Sequence, residues 1–233
     1  MKFKTVLTAL LVTSLSVSSL SSVASAADSE AEITFTPGDG APDVLDPTTP
    51  EETYDPESGT PGDPTNPPTG ETGPLTLDYV SSLEFGSHQI ESSLETYEST
   101  TLRPFVQVTD RRGTGAGWHV TAEMSSFTTG EGDTAISSLP GAELTLTGTT
   151  MNTTSSSGAP TPSDTIELSS DGTVSTVVNA GADTGLGSWI ARWFPSATGA
   201  TSNDNVTLEV PAGAATLGDH TATITWTLEN TPQ

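Results

Sequence analysis

The sequence of 233 residues contains no cysteine, and it contains no lysine after the fourth residue. Without cysteine the chain cannot form disulfides, thiolate zinc sites or a thiol nucleophile. An exported chain that lacks disulfides has to gain its stability from a hydrophobic core of adequate size. We therefore expect one sizeable folded domain. We also predict that it has no cofactor and no metal site.

Positive charge is scarce throughout the chain. Lys2 and Lys4 lie at the amino terminus, and the later residues carry four arginines against 30 aspartates and glutamates. The arginines are Arg103, Arg111, Arg112 and Arg192. This balance excludes nucleic-acid binding through phosphate neutralisation and argues against direct attraction to anionic lipids or wall polymers. The carboxylates show no EF-hand spacing, and their simplest role is to keep a secreted protein soluble.

Residues 1–26 have the pattern of a secretory signal peptide. Lys2 and Lys4 precede a short apolar stretch over 6–20, and Ala24-Ser25-Ala26 is an A-x-A cleavage site. The apolar stretch is too short and too rich in serine to span the hydrocarbon core of a bilayer. We predict export, cleavage near residue 26 and no direct membrane insertion of the mature chain.

Residues 27–74 form a second compositional region. Ten of the 17 prolines lie between Pro37 and Pro74, together with many Gly, Thr, Asp and Glu residues. A segment with so few apolar side chains buries too little surface to offset its ordering entropy. The composition predicts a disordered, acidic and partly extended linker.

Residues 75–233 show recurring strand patterns separated by Gly, Asn and Asp clusters. Apolar and polar residues alternate most clearly over 221–228, where four threonines occupy one face. Further strands are predicted at 75–80, 105–109, 118–124, 143–147, 165–168, 173–180, 189–194 and 206–210. The residues at 148–163 are predicted to form a long loop. Many short strands and no helical period predict a single all-β domain, an antiparallel β-sandwich.

An ordered set of motifs runs through this domain. It comprises Leu83-Glu84-Phe85-Gly86, Val106 to Trp118, Leu139-Pro140-Gly141-Ala142-Glu143-Leu144, Gly187-Ser188-Trp189, Val206 to Pro211, and Trp226-Thr227-Leu228. The set resembles the WxL domain of surface proteins from low-GC Gram-positive bacteria, over about 75–232. The chain departs from the family at the first motif, Trp118-His119-Val120, where valine replaces leucine.

The resemblance implies a secreted protein of the cell wall and cell surface. It implies non-covalent attachment to peptidoglycan, assembly with other surface proteins of the same system, and for some members adhesion to host matrix. An alternative stays open, in which the chain is a subunit of a surface complex that docks on a membrane-anchored partner protein.

Two interpretations of the motif tryptophans also stay open. Trp118 shares a strand face with Val120, and Trp226 shares one with Leu228, so these side chains pack a core or present an aromatic platform to sugar rings. The candidate wall-binding or partner-binding residues are Trp118, Val120, Trp189, Trp226, Leu228, Arg111 and Arg112. For each arginine two roles are open: it forms an ion pair with a carboxylate of the protein, or it binds a carboxylate of a ligand through two parallel hydrogen bonds.

Catalytic motifs are missing from the sequence. The three histidines are His88, His119 and His220, and none belongs to a His-Glu-x-x-His pair. No Gly-x-Ser-x-Gly elbow is present either. We therefore predict a protein that is not an enzyme.

Overall fold

The structure, a computed structural model, describes residues 26–130 and 132–233. It divides into two units, Met1–Phe35 and Thr36–Gln233. In the first unit the described residues form neither helix nor strand, and Ile33 and Phe35 are exposed. The predicted signal peptide lies almost entirely outside the described residues. No described residue belongs to a helix long and apolar enough to span a membrane.

The second unit is built from β-strands. They are β1 (Leu75–Val80), β2 (Glu95–Ser99), β3 (Phe105–Asp110), β4 (Trp118–Met124), β5 (Thr128–Thr129), β6 (Ile136–Ser137), β7 (Glu143–Thr147), β8 (Thr150–Thr153), β9 (Thr161–Pro162), β10 (Thr165–Ser169), β11 (Ser175–Ala180), β12 (Gly187–Arg192), β13 (Asn203–Val210) and β14 (Ile224–Glu229). A short 3₁₀ helix (Gly132–Thr134) separates β5 from β6.

Within the described residues the strands form three antiparallel four-stranded sheets and one small hairpin. The first sheet has the order β1-β3-β12-β8, the second β10-β7-β13-β2 and the third β14-β4-β11-β9, while β5 pairs with β6. Alternate residues of all three sheets point into one apolar core, which includes Val108, Trp118, Leu146 and Leu208. The all-β, sandwich-like architecture confirms the predicted fold class.

The predicted strands appear at β1, β3, β4, β7, β10, β11, β12, β13 and β14. The alternating pattern predicts a strand over 221–228, whereas β14 begins at Ile224 and Thr221 forms an isolated bridge to Thr128. The predicted loop at 148–163 contains β8 and β9. Both strands are short and rich in threonine, so they carry no alternating apolar signal.

A second, smaller apolar cluster lies on the other side of the first sheet. Tyr79, Phe105 and Ile190 are fully buried there by Val44 and Tyr54, which belong to the proline-rich region. Residues 44–54 form a small hairpin, with an isolated bridge between Leu45 and Thr53. We call residues 43–69 the strap.

The strap is held by polar contacts as well as by apolar burial. Gln107 of β3 accepts a hydrogen bond from the Leu45 N–H at 2.8 Å and donates to the Asp43 carbonyl at 3.0 Å. Arg103 forms ion pairs with Asp46 and Asp63. Composition predicts a disordered linker over 27–74. Within it, Val44 and Tyr54 of the strap are buried against the β-domain, and Asp43, Leu45, Asp46 and Asp63 bond to its residues.

Asp78 of β1 joins this polar network and is 3% exposed. Its carboxylate accepts hydrogen bonds from the Thr76 hydroxyl at 2.6 Å, the Gln107 amide at 2.8 Å and the Thr109 hydroxyl at 2.5 Å. Burial nevertheless raises the pKa of Asp78 above its ordinary value. The carboxyl is therefore a titratable group held between the first sheet and the strap.

Candidate functional site

The tryptophan of the first motif is a core residue. Trp118 opens β4, a central strand of the third sheet, and is 1% exposed. Its indole N–H donates to the Gly185 carbonyl at 3.0 Å. Gly185 has a φ of 73°, and a Cβ there would lie 2.7 Å from the indole nitrogen, so only glycine fits this close approach. Trp118 therefore packs in the core, with almost all of its surface buried.

Two more candidates are buried in the same way. Val120 is 1% exposed and Trp189 is 4% exposed, and both belong to the main core. The Trp189 indole N–H donates to the Leu186 carbonyl at 3.0 Å. Trp193, which is not among the candidate residues, is also buried, and its indole N–H donates a hydrogen bond to the Thr149 hydroxyl at 2.8 Å.

The second motif lies at the edge of the third sheet. Trp226 and Leu228 point inward from β14 but are only partly buried, because β14 has a neighbour on one side alone. The Trp226 ring lies 6.1 Å from the Trp193 ring, centroid to centroid. The indole N–H groups of Trp118, Trp189 and Trp193 each donate to an acceptor in the protein. Among the described residues the indole N–H of Trp226 has no such acceptor. Trp226 therefore packs against the core while part of its side chain stays exposed to solvent.

The exposed side of the second motif lines a groove of about 640 Å³ between β14 and β1. We call it the motif groove. Its lining residues are Glu71, Pro74, Leu75, Leu77, Arg112, Trp226, Thr227, Leu228, Glu229 and Asn230. The groove combines an apolar floor with two carboxylates and hydroxyl and amide groups at its rim.

Arg112 stabilises one end of this groove. Its guanidinium forks onto Asp110, with Nε at 3.0 Å and Nη2 at 2.7 Å from the two carboxylate oxygens. It also donates to the Gly117 carbonyl at 2.7 Å and the Asn230 carbonyl at 3.2 Å. The Asp110 side chain is fully buried. Arg112 thus ties the end of β3 to the turn before β4 and to the residue after β14.

The other three arginines are also engaged within the protein. Arg111 donates to the carbonyls of Gly40 and Gly73, the latter at 2.9 Å. Arg192 donates to the Pro47 carbonyl and lies 4.8 Å above the Phe194 ring. The Arg103 Nε–H donates a hydrogen bond to the Asp63 carboxylate at 2.6 Å, and this hydrogen bond raises the pKa of Arg103. Each guanidinium is thus already bonded to the protein itself.

A second groove, of about 620 Å³, opens between the second and third sheets. We call it the loop groove, because residues 83–90 form one wall and 215–222 another. Its apolar lining includes Phe85, Ile90, Phe127, Leu139, Leu144, Leu208, Val210 and Ile224. No local sequence pattern predicts this groove, because its walls come from segments that are far apart in the chain.

The structure therefore separates the seven candidate residues. Trp226, Leu228 and Arg112 share the motif groove, whereas Trp118, Val120 and Trp189 lie in the core. Arg111 is bonded to carbonyls near the strap. Among the described residues no group of three or more His, Asp or Glu side chains could hold a metal ion.

Comparison with known proteins places the chain in one family. The family model described as "WxL domain surface cell wall-binding" matches residues 22–232. No curated protein and no solved structure matches the chain.

Proposed function

The chain belongs to the WxL family of cell-wall-binding surface domains, and from that premise we propose that it attaches non-covalently to peptidoglycan without catalysing a reaction. Its place is the cell wall and cell surface. The observation that supports a direct contact is the position of Trp226, partly exposed at a groove and with a free indole N–H.

The charge distribution favours a contact with uncharged parts of the wall. All four guanidiniums are bonded within the protein, and the chain has a formal net charge of −24. Attraction to anionic wall polymers therefore supplies little binding energy. A sugar ring can instead stack on the face of the Trp226 indole, and an oxygen of a neighbouring sugar beside the ring edge can accept a hydrogen bond from the indole N–H. Leu228 and the polar rim of the motif groove would complete this contact.

The test uses the chain from residue 27 to 233 and protein-stripped cell walls. We expect the protein to sediment with intact walls and equally with peptidoglycan from which the anionic polymers have been removed. Trp226→Ala should lose sedimentation while remaining folded, because Trp226 lies at the sheet edge and is only partly buried. Thr225→Ala, at an exposed position on the outward face of the same strand and outside the motif groove, is the matched control and should sediment normally.

Two results would count against direct attachment. Protein that stays in solution with purified peptidoglycan would exclude it as the ligand. A Trp226→Ala variant that is folded and sediments like the parent would exclude the motif groove as the contact. Docking on a membrane-anchored partner protein is the second candidate function, and the open edge of β14 favours it.

A further inference from the structure

A carboxylate and an indole lie on opposite walls of the motif groove. On the β1 side, the Glu71 carboxylate accepts a hydrogen bond from the Leu77 N–H at 2.9 Å. Since β1 is an edge strand and this N–H is bonded outside the sheet, the Glu71 carboxylate lies along the free edge of β1. On the β14 side, Trp226 lines the groove with part of its side chain exposed. A ligand in the groove therefore meets both groups.

The Glu71 carboxylate is only partly engaged within the protein. Its side chain is exposed, and one oxygen accepts the Leu77 N–H, whereas the other accepts no hydrogen bond among the described residues. The ion pairs in the described part of the chain join Arg103 and Arg112 to other carboxylates. The charge of Glu71 is therefore not balanced by a contacting cation of the protein.

The other charged residues leave the groove negative. Arg112 carries the positive charge of the lining, and the fully buried carboxylate of Asp110 neutralises it through two hydrogen bonds. Arg111 is bonded to the Gly73 carbonyl and does not line the groove. Glu229 adds a second carboxylate at the end of β14, at an exposed position on the outward face of the strand. The groove therefore presents uncompensated negative charge to a ligand.

An ammonium group is the chemistry that both walls favour. A carboxylate attracts it through a charge-assisted hydrogen bond, and the ring of a tryptophan attracts a cation placed over its face. The acetamide of an N-acetylated sugar is neutral and gains much less from either group. A phosphate or carboxylate of the wall is repelled by Glu71 and Glu229. The groove therefore distinguishes wall elements by whether an amine is free.

We propose that the motif groove selects wall elements that carry a free ammonium group beside a sugar ring or a methylene chain. The ammonium binds between Glu71 and Trp226, and the apolar surface next to it packs on Leu228. Peptidoglycan offers two sources of such a group: an amino sugar that has lost its acetyl group, and the side-chain amine of a diamino acid in a stem peptide that is not cross-linked. The inference rests on the proposed wall attachment and specifies the chemical group that the groove recognises.

The test compares chemically modified samples of one preparation of peptidoglycan, freed of protein and of anionic polymers. Acetylation turns each free ammonium into a neutral amide, whereas reductive methylation keeps the positive charge. We expect the chain from residue 27 to 233 to sediment with untreated and with methylated peptidoglycan, and several-fold less with the acetylated sample. Equal sedimentation with all three samples would overturn the proposal and leave wall attachment intact.

Ionic strength supplies a second readout. Attraction between an ammonium and exposed carboxylates is screened by salt, so binding should fall when NaCl is raised from about 0.05 M to about 0.5 M. Stacking on the indole alone would not weaken, because the chain, with its formal net charge of −24, and the carboxylates of peptidoglycan repel each other less at high salt. Binding that is unchanged or stronger at high salt would therefore contradict the ammonium contact.

Variants of single carboxylates locate the contact. Glu71→Gln keeps an acceptor for the Leu77 N–H but removes the charge, and it should weaken binding of a soluble glucosamine oligomer by about two- to fivefold. Glu229→Gln should have a smaller effect, because this side chain lies on the outward face of β14. Glu167→Gln, at an exposed position of β10 outside the groove, removes the same charge and is the matched control. Equal binding by Glu71→Gln and Glu167→Gln would remove Glu71 from the site.

Soluble competitors distinguish the two sources of the amine. The first pair is a glucosamine oligomer and its N-acetylated form, and the second is a short peptide with a free lysine side chain and its acetylated form. We expect at least one free-amine form to displace the protein from peptidoglycan, and its acetylated partner to fail at the same concentration. The pair that shows this difference identifies the source. If neither pair shows it, the ammonium is not the group recognised.

Failure of wall attachment gives a different result. Protein that sediments with none of the peptidoglycan samples would refute the proposed attachment, and direct titration of the soluble pairs would then test the ammonium site alone. Tighter binding of a free-amine form than of its acetylated partner would uphold the site, and equal binding would overturn it.

Discussion

Val120 and Leu228 are directly opposite each other in the ladder between β4 and β14. They are the third residues of the two tryptophan motifs, so the motifs meet side by side in one sheet although about a hundred residues separate them. Val120 is buried and Leu228 is partly exposed, because β4 is central and β14 is at the edge. The two motifs therefore have different positions. The first lies in the core, and the second lies between the core and the motif groove.

The first prediction follows from this difference between centre and edge. Trp118→Ala removes a fully buried indole and its hydrogen bond to Gly185, and should lower the free energy of unfolding by about 3–5 kcal/mol. Trp226→Ala removes a partly exposed ring and should cost about half as much. Urea unfolding followed by circular dichroism measures both. Equal losses for the two variants would show that Trp226 is as much a core residue as Trp118.

Local sequence patterns predicted much of the fold. The bounds of β1, β4 and β7 were predicted correctly from alternating apolar and β-branched residues. This pattern is local, so it does not depend on which other strands pack beside it. β2, with the sequence Glu-Thr-Tyr-Glu-Ser, was missed because it has one apolar side chain. It forms a strand because it pairs with β13, a partner more than 100 residues away that no local pattern identifies.

The candidate site could be predicted only in part. Alternation shows that Trp118 and Trp226 point inward, but their exposure depends on the order of strands in the sheet, which no local pattern contains. The strap was missed for a related reason. Its few apolar residues, such as Val44 and Tyr54, are buried by residues far along the chain, and average composition does not report such pairings.

The second prediction concerns the strap. A chain truncated to residues 75–233 would expose Tyr79, Phe105 and Ile190, which are fully buried in the intact chain. We expect this fragment to unfold without a cooperative transition, and residues 36–233 to melt like the chain from residue 27. Circular dichroism and thermal unfolding of both fragments measure the difference. Cooperative melting of 75–233 near the parent temperature would show that the strap is dispensable.

A point variant tests the strap without truncation. Tyr54 is 8% exposed and contacts the rings of Tyr79 and Phe105 edge-on, at 5.4 and 5.1 Å between centroids. Tyr54→Ala should lower the free energy of unfolding by about 3 kcal/mol. Glu51→Ala, at an exposed position of the same hairpin, should change it by less than about 0.5 kcal/mol.

The third prediction concerns Arg112. Arg112→Ala leaves the fully buried carboxylate of Asp110 without its cation, which should cost about 3–5 kcal/mol of stability. The paired variant Arg112→Leu with Asp110→Asn removes both charges and should recover part of this loss. Denaturant unfolding at neutral pH measures both. If Arg112→Ala is as stable as the parent, the carboxylate of Asp110 does not depend on this ion pair.

The fourth prediction concerns the pH dependence of stability. Burial raises the pKa of Asp78 in the folded protein, so the folded state binds a proton more tightly than the unfolded chain. The stability linked to this proton is fully present below the ordinary aspartate pKa of about 4, and it is lost as the pH rises through the raised value. Asp46 acts in the opposite direction. Burial alone would raise its pKa, but backbone hydrogen bonds from Thr49 and Thr48 and the charge of Arg103 hold it below the ordinary value.

Asp78→Asn isolates the first of these contributions, because an amide keeps most of the local hydrogen bonds and does not titrate. The difference in unfolding free energy between the parent and Asp78→Asn should therefore favour the parent most at low pH and shrink as the pH rises from about 4. The donors to the Asp78 carboxylate are Thr76, Gln107 and Thr109, which do not titrate in this range, and the nearby charge of Arg111, which lowers the pKa of Asp78, stays constant there. A difference that is constant with pH, or that grows in favour of the parent as the pH rises, would show that the Asp78 pKa is not raised by burial.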